Sequence, residues 1–389
     1  MKNQLNNNTL ILFPEGQISS SNANDISAEF DKIISNNPHE SIIVDLGEIS
    51  YVSSAGLRIF LNIKKKENNF KIINVSKEVY DIFSMTGFTQ IIEIEKALAE
   101  VSIEGKQLIG QGYMGKIYRM DPETIIKVNY RVDSVESIKH ERELAKKAFV
   151  LGVPTAISYD VVKVKEGGYG SMFELITDDS ICGLINKHPE DLQKYVDIYT
   201  DLLLKIREAK DDTNTLPRKK DDALMWVKQL RECDYYDKSI LDKMEQLINN
   251  VNDDANLVHG DFHIKNVMMQ NNEALLIDMD TLGIGNTIFE LTPMFLTYVG
   301  YPSTEPGNLQ SFLGISDEQG EIIFNQAIKK LLSTDDENTI KTTLNKAALL
   351  GYMWLTLKTH LFEPENKVRL EHSIKMVNDL INVVDTLNV

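Results

Sequence analysis

Four polar side chains in the second half of the chain have the types and spacing to hold a metal ion and steer a hydroxyl group. In Val258-His259-Gly260-Asp261-Phe262-His263-Ile264-Lys265-Asn266 a carboxylate and an amide stand five residues apart. Twelve residues past Asn266, Asp278 ends the apolar run Ala274-Leu275-Leu276-Ile277, and Asp280 follows it. Oxygen donors of this kind suit a hard divalent cation such as Mg²⁺, and a carboxylate beside them can accept or orient a hydroxyl proton. Upstream, Leu108-Ile109-Gly110-Gln111-Gly112-Tyr113-Met114-Gly115-Lys116-Ile117-Tyr118 sets G-x-G-x-x-G between two apolar strand segments. Without Cβ atoms, the backbone at Gly110, Gly112 and Gly115 can approach phosphates and aim N–H groups at them. Lys127 interrupts the apolar run Thr124-Ile125-Ile126-Lys127-Val128, a costly place for an ammonium without a partner. A phosphate cradle, a cation, metal-binding oxygens and an oriented hydroxyl are the parts that phosphoryl transfer requires.

Each part has a plainer reading when taken alone. The glycine run is also what a simple hairpin needs; a strand follows it rather than a helix, against a dinucleotide site, and no GK[ST] is present. Lys127 alone reads as an edge-strand lysine reaching water. His259, His263 and Asp261 form a possible zinc set, but that leaves the glycine turn and Lys127 unexplained. The helix after Lys127 supplies the expected partner. Ile138, Glu141, Ala145, Ala148 and Phe149 share one face at helical spacing, which selects Glu141, whereas Glu143 falls with His140, Lys146 and Lys147 toward solvent. Asp280 either assists the metal or caps the following turn.

Two grammars of secondary structure carry these residues. From residue 1 to 98 short strands alternate with helices: TLILFPEGQI gives one or two strands, SNANDISAEFDKIISNN an amphipathic helix, SIIVDLGEI a central strand, Ser54 to Asn68 a second helix, FKIINV a strand, KEVYDIFSMTG a third helix and QIIEIE a last strand. That alternation predicts a sheet with helices packed on it. From about 105 the order is strand, glycine-rich turn, strand, a helix from Ser134 to Leu151, further strands to Ile176, and then mainly helix to the end. The joint at 99–104 is short.

Composition narrows the partners. The chain has 389 residues, a net charge of -17 and 42% hydrophobic residues, ordinary for a soluble globular protein of two or three folding units. Its negative field argues against nucleic acid and anionic membrane as partners. Lys64-Lys65-Lys66 and Arg218-Lys219-Lys220 are short basic clusters of the kind found on solvated faces. Cys182 and Cys233 show no metal-ligand spacing and read as free thiols of a reducing compartment. Leu10-Ile11-Leu12-Phe13 is too short for a signal peptide and precedes Pro14, so a cytoplasmic location is expected.

Residues 105–389 resemble the aminoglycoside phosphotransferase/choline kinase branch of the kinase-like superfamily, through the HGD…N…ID pattern with Gly260 where protein kinases usually carry Arg. The resemblance implies a bilobal α+β kinase-like fold, with an N-lobe over 105–177 and a mainly helical C-lobe over 178–389. It implies ATP as donor and Mg²⁺ as cofactor, Asp261 as the catalytic residue, Asn266 and Asp278 as metal ligands, and Lys127 paired with Glu141 at the α/β-phosphates. Phe173-Glu174-Leu175-Ile176 becomes the interlobe hinge, with Ile176 at the adenine. A small hydroxylated acceptor follows from the short segment after Asp278 and the absence of an A-P-E motif. Thr287-Ile288-Phe289-Glu290-Leu291 stands where this branch has an Asp-Leu pair, so Glu290 replaces the family's Asp, and Asp278-Met279-Asp280 replaces D-F-G.

Residues 7–98 resemble the STAS family, the domain of anti-sigma-factor antagonists, through Ile42-Ile43-Val44-Asp45-Leu46 and Val52-Ser53-Ser54-Ala55-Gly56-Leu57-Arg58-Ile59-Phe60. The resemblance makes Ser54 the candidate phosphoacceptor, with Ser53 where the family usually has Asp; a serine at a helix start is otherwise an ordinary cap. The expected architecture is an α/β STAS domain over 1–98, a mixed sheet with helices, then the kinase-like domain over 105–389. The expected function is ATP- and magnesium-dependent phosphoryl transfer to a small-molecule hydroxyl, with the STAS domain serving regulation or protein docking. Two alternatives stay open: a Ser/Thr protein kinase of partner switching, acting on Ser54 of its own chain, and a nucleotide-binding scaffold without catalysis. The acidic composition points toward a cationic acceptor.

Overall fold

In Thr9–Phe13 and Ser41–Asp45 every second side chain is buried, with Leu10, Leu12, Ile42 and Val44 at 0% exposure. Such period-two burial is what a half-covered strand produces. The computed structural model describes residues 1–111, 115–129, 135–213 and 215–389, and the chain divides into two compact units, Met1–Val101 and Ser102–Val389.

The first unit holds a sheet ordered Lys2–Asn6, Thr9–Phe13, Ser41–Asp45, Phe70–Val75, Glu93–Lys96. Its first pair is antiparallel and its remaining pairs are parallel, so crossover connections are required; helices Ala23–Asn36, Ser54–Lys66 and Lys77–Met85 lie in those connections. The rings of the three helices meet in the core, Phe30 at 6.3 Å from Phe60 and Phe60 at 5.7 Å from Phe83. Three details differ from the sequence expectation. Lys2–Asn6 is a strand although every residue in it is exposed; the left-handed Asn7 and Asn8 form the tight turn that folds it back. SIIVDLGEI is not one strand: the Asp45 carboxylate accepts from Gly47 N at 2.9 Å and breaks it into Ser41–Asp45 and Ile49–Val52. The last strand starts only at Glu93, because Phe88–Gln90 takes a 3₁₀ turn.

In the second unit the antiparallel strands run Ser158–Val164, Tyr169–Glu174, Thr124–Asn129, Gly115–Arg119, Gln107–Gln111, with helix Val135–Val150 beside them. Gly115 is required here by the strand pairing: a Cβ would stand 2.1 Å from the carbonyl oxygen of Val128. In the helix, Ile138, Ala145 and Ala148 are buried, but Phe149 is 54% exposed, so the apolar face ends one residue earlier than its spacing suggested. The rest is mainly helical, led by Leu192–Glu208, Asp317–Leu332 and the 26-residue Glu337–Phe362. Two small antiparallel pairs, Leu257–Val258 with Gly283–Ile284 and Val267–Gln270 with Glu273–Leu276, bracket the HGD…N segment. Among the described residues no helix is long and apolar enough to cross a membrane.

Candidate active site

Lys127 emerges from the central strand Thr124–Asn129 between Ile126 and Val128, both fully buried. Its ammonium donates to Glu141 Oε1 at 3.0 Å and to Asp278 Oδ1 at 2.7 Å. Burial opposes its charge, but Asp278 and Glu141 outweigh that and raise its pKa above the ordinary lysine value. Burial pushes the Glu141 carboxyl up despite Lys127. Glu143 turns the other way, pairing with Arg142 at 3.1 Å on the solvent side. The structure thus brings Lys127, Glu141 and Asp278 together and leaves Glu143 out.

Asp278 takes a left-handed conformation, φ 67°, which costs a non-glycine residue about 1 kcal/mol or more. The turn coincides with the end of the strand and with the carboxylate's contact to Lys127. The backbone next to it is tied to the second metal candidate, Ile277 N donating to Asn266 O at 2.9 Å. Asn266 is buried, and its Nδ2 donates to both the carbonyl (3.0 Å) and Oδ2 (3.2 Å) of Asp261. That fixes which end of the amide is nitrogen and leaves its oxygen for a cation. The donor set fits magnesium, which takes one or two protein oxygens and completes its shell with water and phosphate. No cluster of three or more His, Cys, Asp or Glu fit to hold a metal occurs among the described residues.

Asp261 sits on a heavily braced loop. Burial raises its carboxyl, but the hydrogen bond and charge of His263, with His259 and Lys358 beyond, hold it below the usual aspartate value. It is therefore ionised at neutral pH. Both ring nitrogens of His259 are spent on backbone, Nδ1 accepting from Asp261 N at 3.3 Å and Nε2 donating to Ile277 O at 3.2 Å. This removes the zinc reading of His259. Gly260 has φ 80°, and a Cβ there would lie 3.0 Å from Thr281 O, so only glycine passes at this turn. Beneath it the fully buried Glu290 accepts from His259 N at 2.6 Å and Gly260 N at 3.1 Å; burial pushes its carboxyl up.

Asp280 is exposed, and its side chain makes no hydrogen bond among the described residues. Crowding by the protein and then the charge of Asp278 push its carboxyl up to about 7. One ammonium facing several carboxylates leaves local negative charge that a divalent cation would relieve.

Above these groups opens a cavity of about 360 Å³, with Ile117, Ile125, Phe173, Met268 and Ile277 as apolar walls and Lys127 and Asp278 at its polar end. Gly110 and Ile176 also line it. Along the hinge, Glu174 N and Leu175 N are already bonded, to Ile157 O at 2.9 Å and Glu123 O at 2.7 Å. Gly112 lies outside the described residues.

Several bracing residues gave no sequence signal. Arg207 donates to Leu257 O (2.9 Å), Gly285 O (3.1 Å) and Thr287 Oγ1 (2.8 Å). Tyr199 stacks on Phe262 at 4.6 Å and donates its hydroxyl to Phe262 O, and Tyr298 accepts from Ile264 N at 3.3 Å. All of these contacts are long-range, and their helical spacing reads only as core.

Comparison with known proteins decides the affiliation. A family model described as "Phosphotransferase enzyme family" matches residues 119–312, and one described as "STAS domain" matches residues 1–101. The chain joins a STAS domain to a kinase-like phosphotransferase domain. The STAS domain is 28% identical over 89 residues to BtrV of Bordetella bronchiseptica, named as an anti-sigma factor antagonist, spanning 22% of this chain and 76% of that protein. It is 29% identical over 63 residues to an anti-sigma-B factor antagonist of Listeria monocytogenes, spanning 15% of this chain and 55% of that protein. The phosphotransferase domain superposes on the apo form of a thermostable mutant of aminoglycoside phosphotransferase APH(4)-Ia, with TM-score 0.50 and 13% identity over 72% of this chain and 97% of that one. A further mutant of that enzyme, in ternary complex with ADP and hygromycin B, gives TM-score 0.50 and 12% identity over 71% and 93%. At these identities the likeness speaks for the fold.

In the STAS domain, Ser53 and not Ser54 caps helix Ser54–Lys66: its buried side chain accepts from Gly56 N at 3.3 Å. Ser54 is exposed in the first turn. The capping role considered for Ser54 therefore belongs to its neighbour.

Proposed function

We propose that the phosphotransferase domain moves the γ-phosphate of ATP to the hydroxyl of a small molecule, with magnesium, and that the STAS domain serves regulation or protein docking. The observation that carries this reading is the linked set Glu141–Lys127–Asp278 and Asn266–Asp261, tied together through the bond from Ile277 N to Asn266 O. ATP enters the 360 Å³ cavity with its base toward Ile176 and its phosphates toward Lys127. Asn266 and Asp278 are the residues to hold magnesium, which when bound neutralises charge on the phosphates. The acceptor oxygen forms its bond to the γ-phosphorus as the bridging P–O bond breaks toward ADP, and the hydroxyl proton passes to Asp261.

One observation favours a second reading, a protein kinase that acts on its own STAS domain: Ser54 is exposed and free of capping duty. Incubating the full chain with γ-labelled ATP and magnesium, with and without a panel of alcohols and aminoglycosides, separates the two. The expected result is label on a small molecule and none on Ser54. Label on Ser54 that disappears in Asp261→Asn replaces the first reading by the second.

A further inference from the structure

The turn from Asp278 to Thr281 meets a cavity at each of its ends. Asp278 and Met279 line the nucleotide cavity, while Thr281 lines a second one of about 300 Å³. The two cavities share no lining residue. Gly260 also lines the second cavity, and the Cα of Asp261 follows it at the ~3.8 Å of a trans peptide. The Asp261 side chain is 46% exposed, so its carboxylate is open to a ligand and not sealed in the loop. Thr281 donates to His259 O at 2.6 Å, and Phe289, another lining residue, precedes the Glu290 that holds His259 N and Gly260 N. The second cavity is thus floored by the catalytic loop and by the residues that brace it.

Its wall is aromatic and electrically balanced. Both tryptophans of the chain lie here. Trp226 of helix Lys219–Leu230 and Trp354 of helix Glu337–Phe362 stack with ring centroids 4.9 Å apart and planes within 6° of parallel. Phe289, Pro293 and the exposed Met225 add to the apolar lining. Two charged side chains reach the cavity, Lys219 and Asp222, and they pair with each other. That pair is built into the fold, for the Lys219 stem lies against Gly283, where a Cβ would stand 2.6 Å from Lys219 Cδ. Among the described residues lining the cavity, no charge is left unmatched. A bare indole face attracts cations, but the Lys358 ammonium already stands 5.0 Å from the Trp354 ring and repels a second one.

We infer that this cavity takes the acceptor, and that the acceptor is an uncharged alcohol built on a flat apolar ring, in the simplest case an aryl alcohol. Its ring lies against the tryptophan wall, where offset stacking and apolar burial supply the affinity, and its hydroxyl reaches past Gly260 to Asp261. The inference rests on the phosphotransferase reading above and sharpens its substrate class. The net charge of -17 describes the whole surface, whereas this cavity offers a cation no free partner. Its volume lies at the small end for ligand cavities, which suits a compact ring system over an oligosaccharide. Trp226 and Trp354 select the acceptor and take no part in nucleotide binding.

The test uses the full chain with saturating ATP and magnesium and reads ADP release. The panel holds benzyl and cinnamyl alcohol as neutral aryl alcohols, glycerol and inositol as neutral polyols, ethanolamine and kanamycin as cations, and glycerate as an anion. Turnover is expected with the aryl alcohols. Trp226→Ala is expected to raise their KM roughly 10-fold or more, the combined worth of a stacked ring and its burial, with the KM for ATP within about twofold. Met225 is 55% exposed, so Met225→Glu leaves the fold intact. It sets an unmatched carboxylate at the rim and is expected to raise the same KM by roughly 3-fold or more. Benzyl alcohol is also expected to change the tryptophan emission, which reports on this cavity, whereas kanamycin leaves it unchanged. Turnover confined to polyols or charged alcohols overturns the inference and leaves the phosphotransferase reading standing. An aryl-alcohol KM unmoved in both variants, or tryptophan emission blind to an aryl alcohol that is turned over, overturns it likewise. If no member of the panel releases ADP, the phosphotransferase reading falls and this inference with it.

Discussion

Asp261→Asn lowers the rate of ADP formation by roughly 10²–10⁴-fold, the usual worth of a positioned proton acceptor, while the KM for ATP and the melting temperature stay close to wild type. The reasoning is local. Asp261 lies outside the cavity assigned to the nucleotide, so the substitution does not reach the base or Lys127. Asn266 Nδ2 keeps the Asp261 carbonyl as one of its two acceptors, so the loop retains its shape. What is lost is a carboxylate held below the usual aspartate pKa and therefore ionised at neutral pH, able to accept a hydrogen bond from the hydroxyl and its proton as the bond to phosphorus forms. Steady-state kinetics with a thermal melt on the same sample checks this. A rate within a few-fold of wild type would remove Asp261 from the proton's path.

Glu290→Ala has the largest expected effect on stability near the site. The carboxylate is fully buried and collects two backbone N–H groups of the loop, from His259 and Gly260, and Arg207 lies within its field. Truncation strands both backbone donors, at a cost of about 2–6 kcal/mol. The same change frees the backbone on which Asp261 is mounted, so activity falls together with the denaturation midpoint. Glu290→Asp keeps the charge one methylene shorter and recovers most of the loss. Urea denaturation monitored beside activity tests the pair, and a midpoint unmoved in Glu290→Ala would show that the loop is held by other contacts.

Glu290 also marks where reading the sequence ends. Its position was legible as the family's Asp, but what it grips was not, because the contact joins residues some thirty apart through backbone atoms. Glu141 was legible, since helical spacing alone separates it from Glu143 and its face is set by Ile138, Ala145 and Ala148. The strands Thr9–Phe13 and Ser41–Asp45 announce themselves as short apolar runs, their alternating burial appearing only in the fold, whereas Lys2–Asn6 has no buried side chain and no apolar run. Gly115 was read for phosphate contact, and the structure adds a requirement that acts without ligand, the Val128 carbonyl at 2.1 Å from any Cβ.

The central claim is that Asp278, turned into the left-handed region beside Lys127 and tethered to Asn266, binds the metal that phosphoryl transfer needs. Its most direct test is magnesium-dependent ADP formation by the full chain compared with Asp278→Asn. The predicted result is a loss of at least about 10²-fold in the variant, with its fold intact. Turnover that is unaffected by Asp278→Asn would contradict the account.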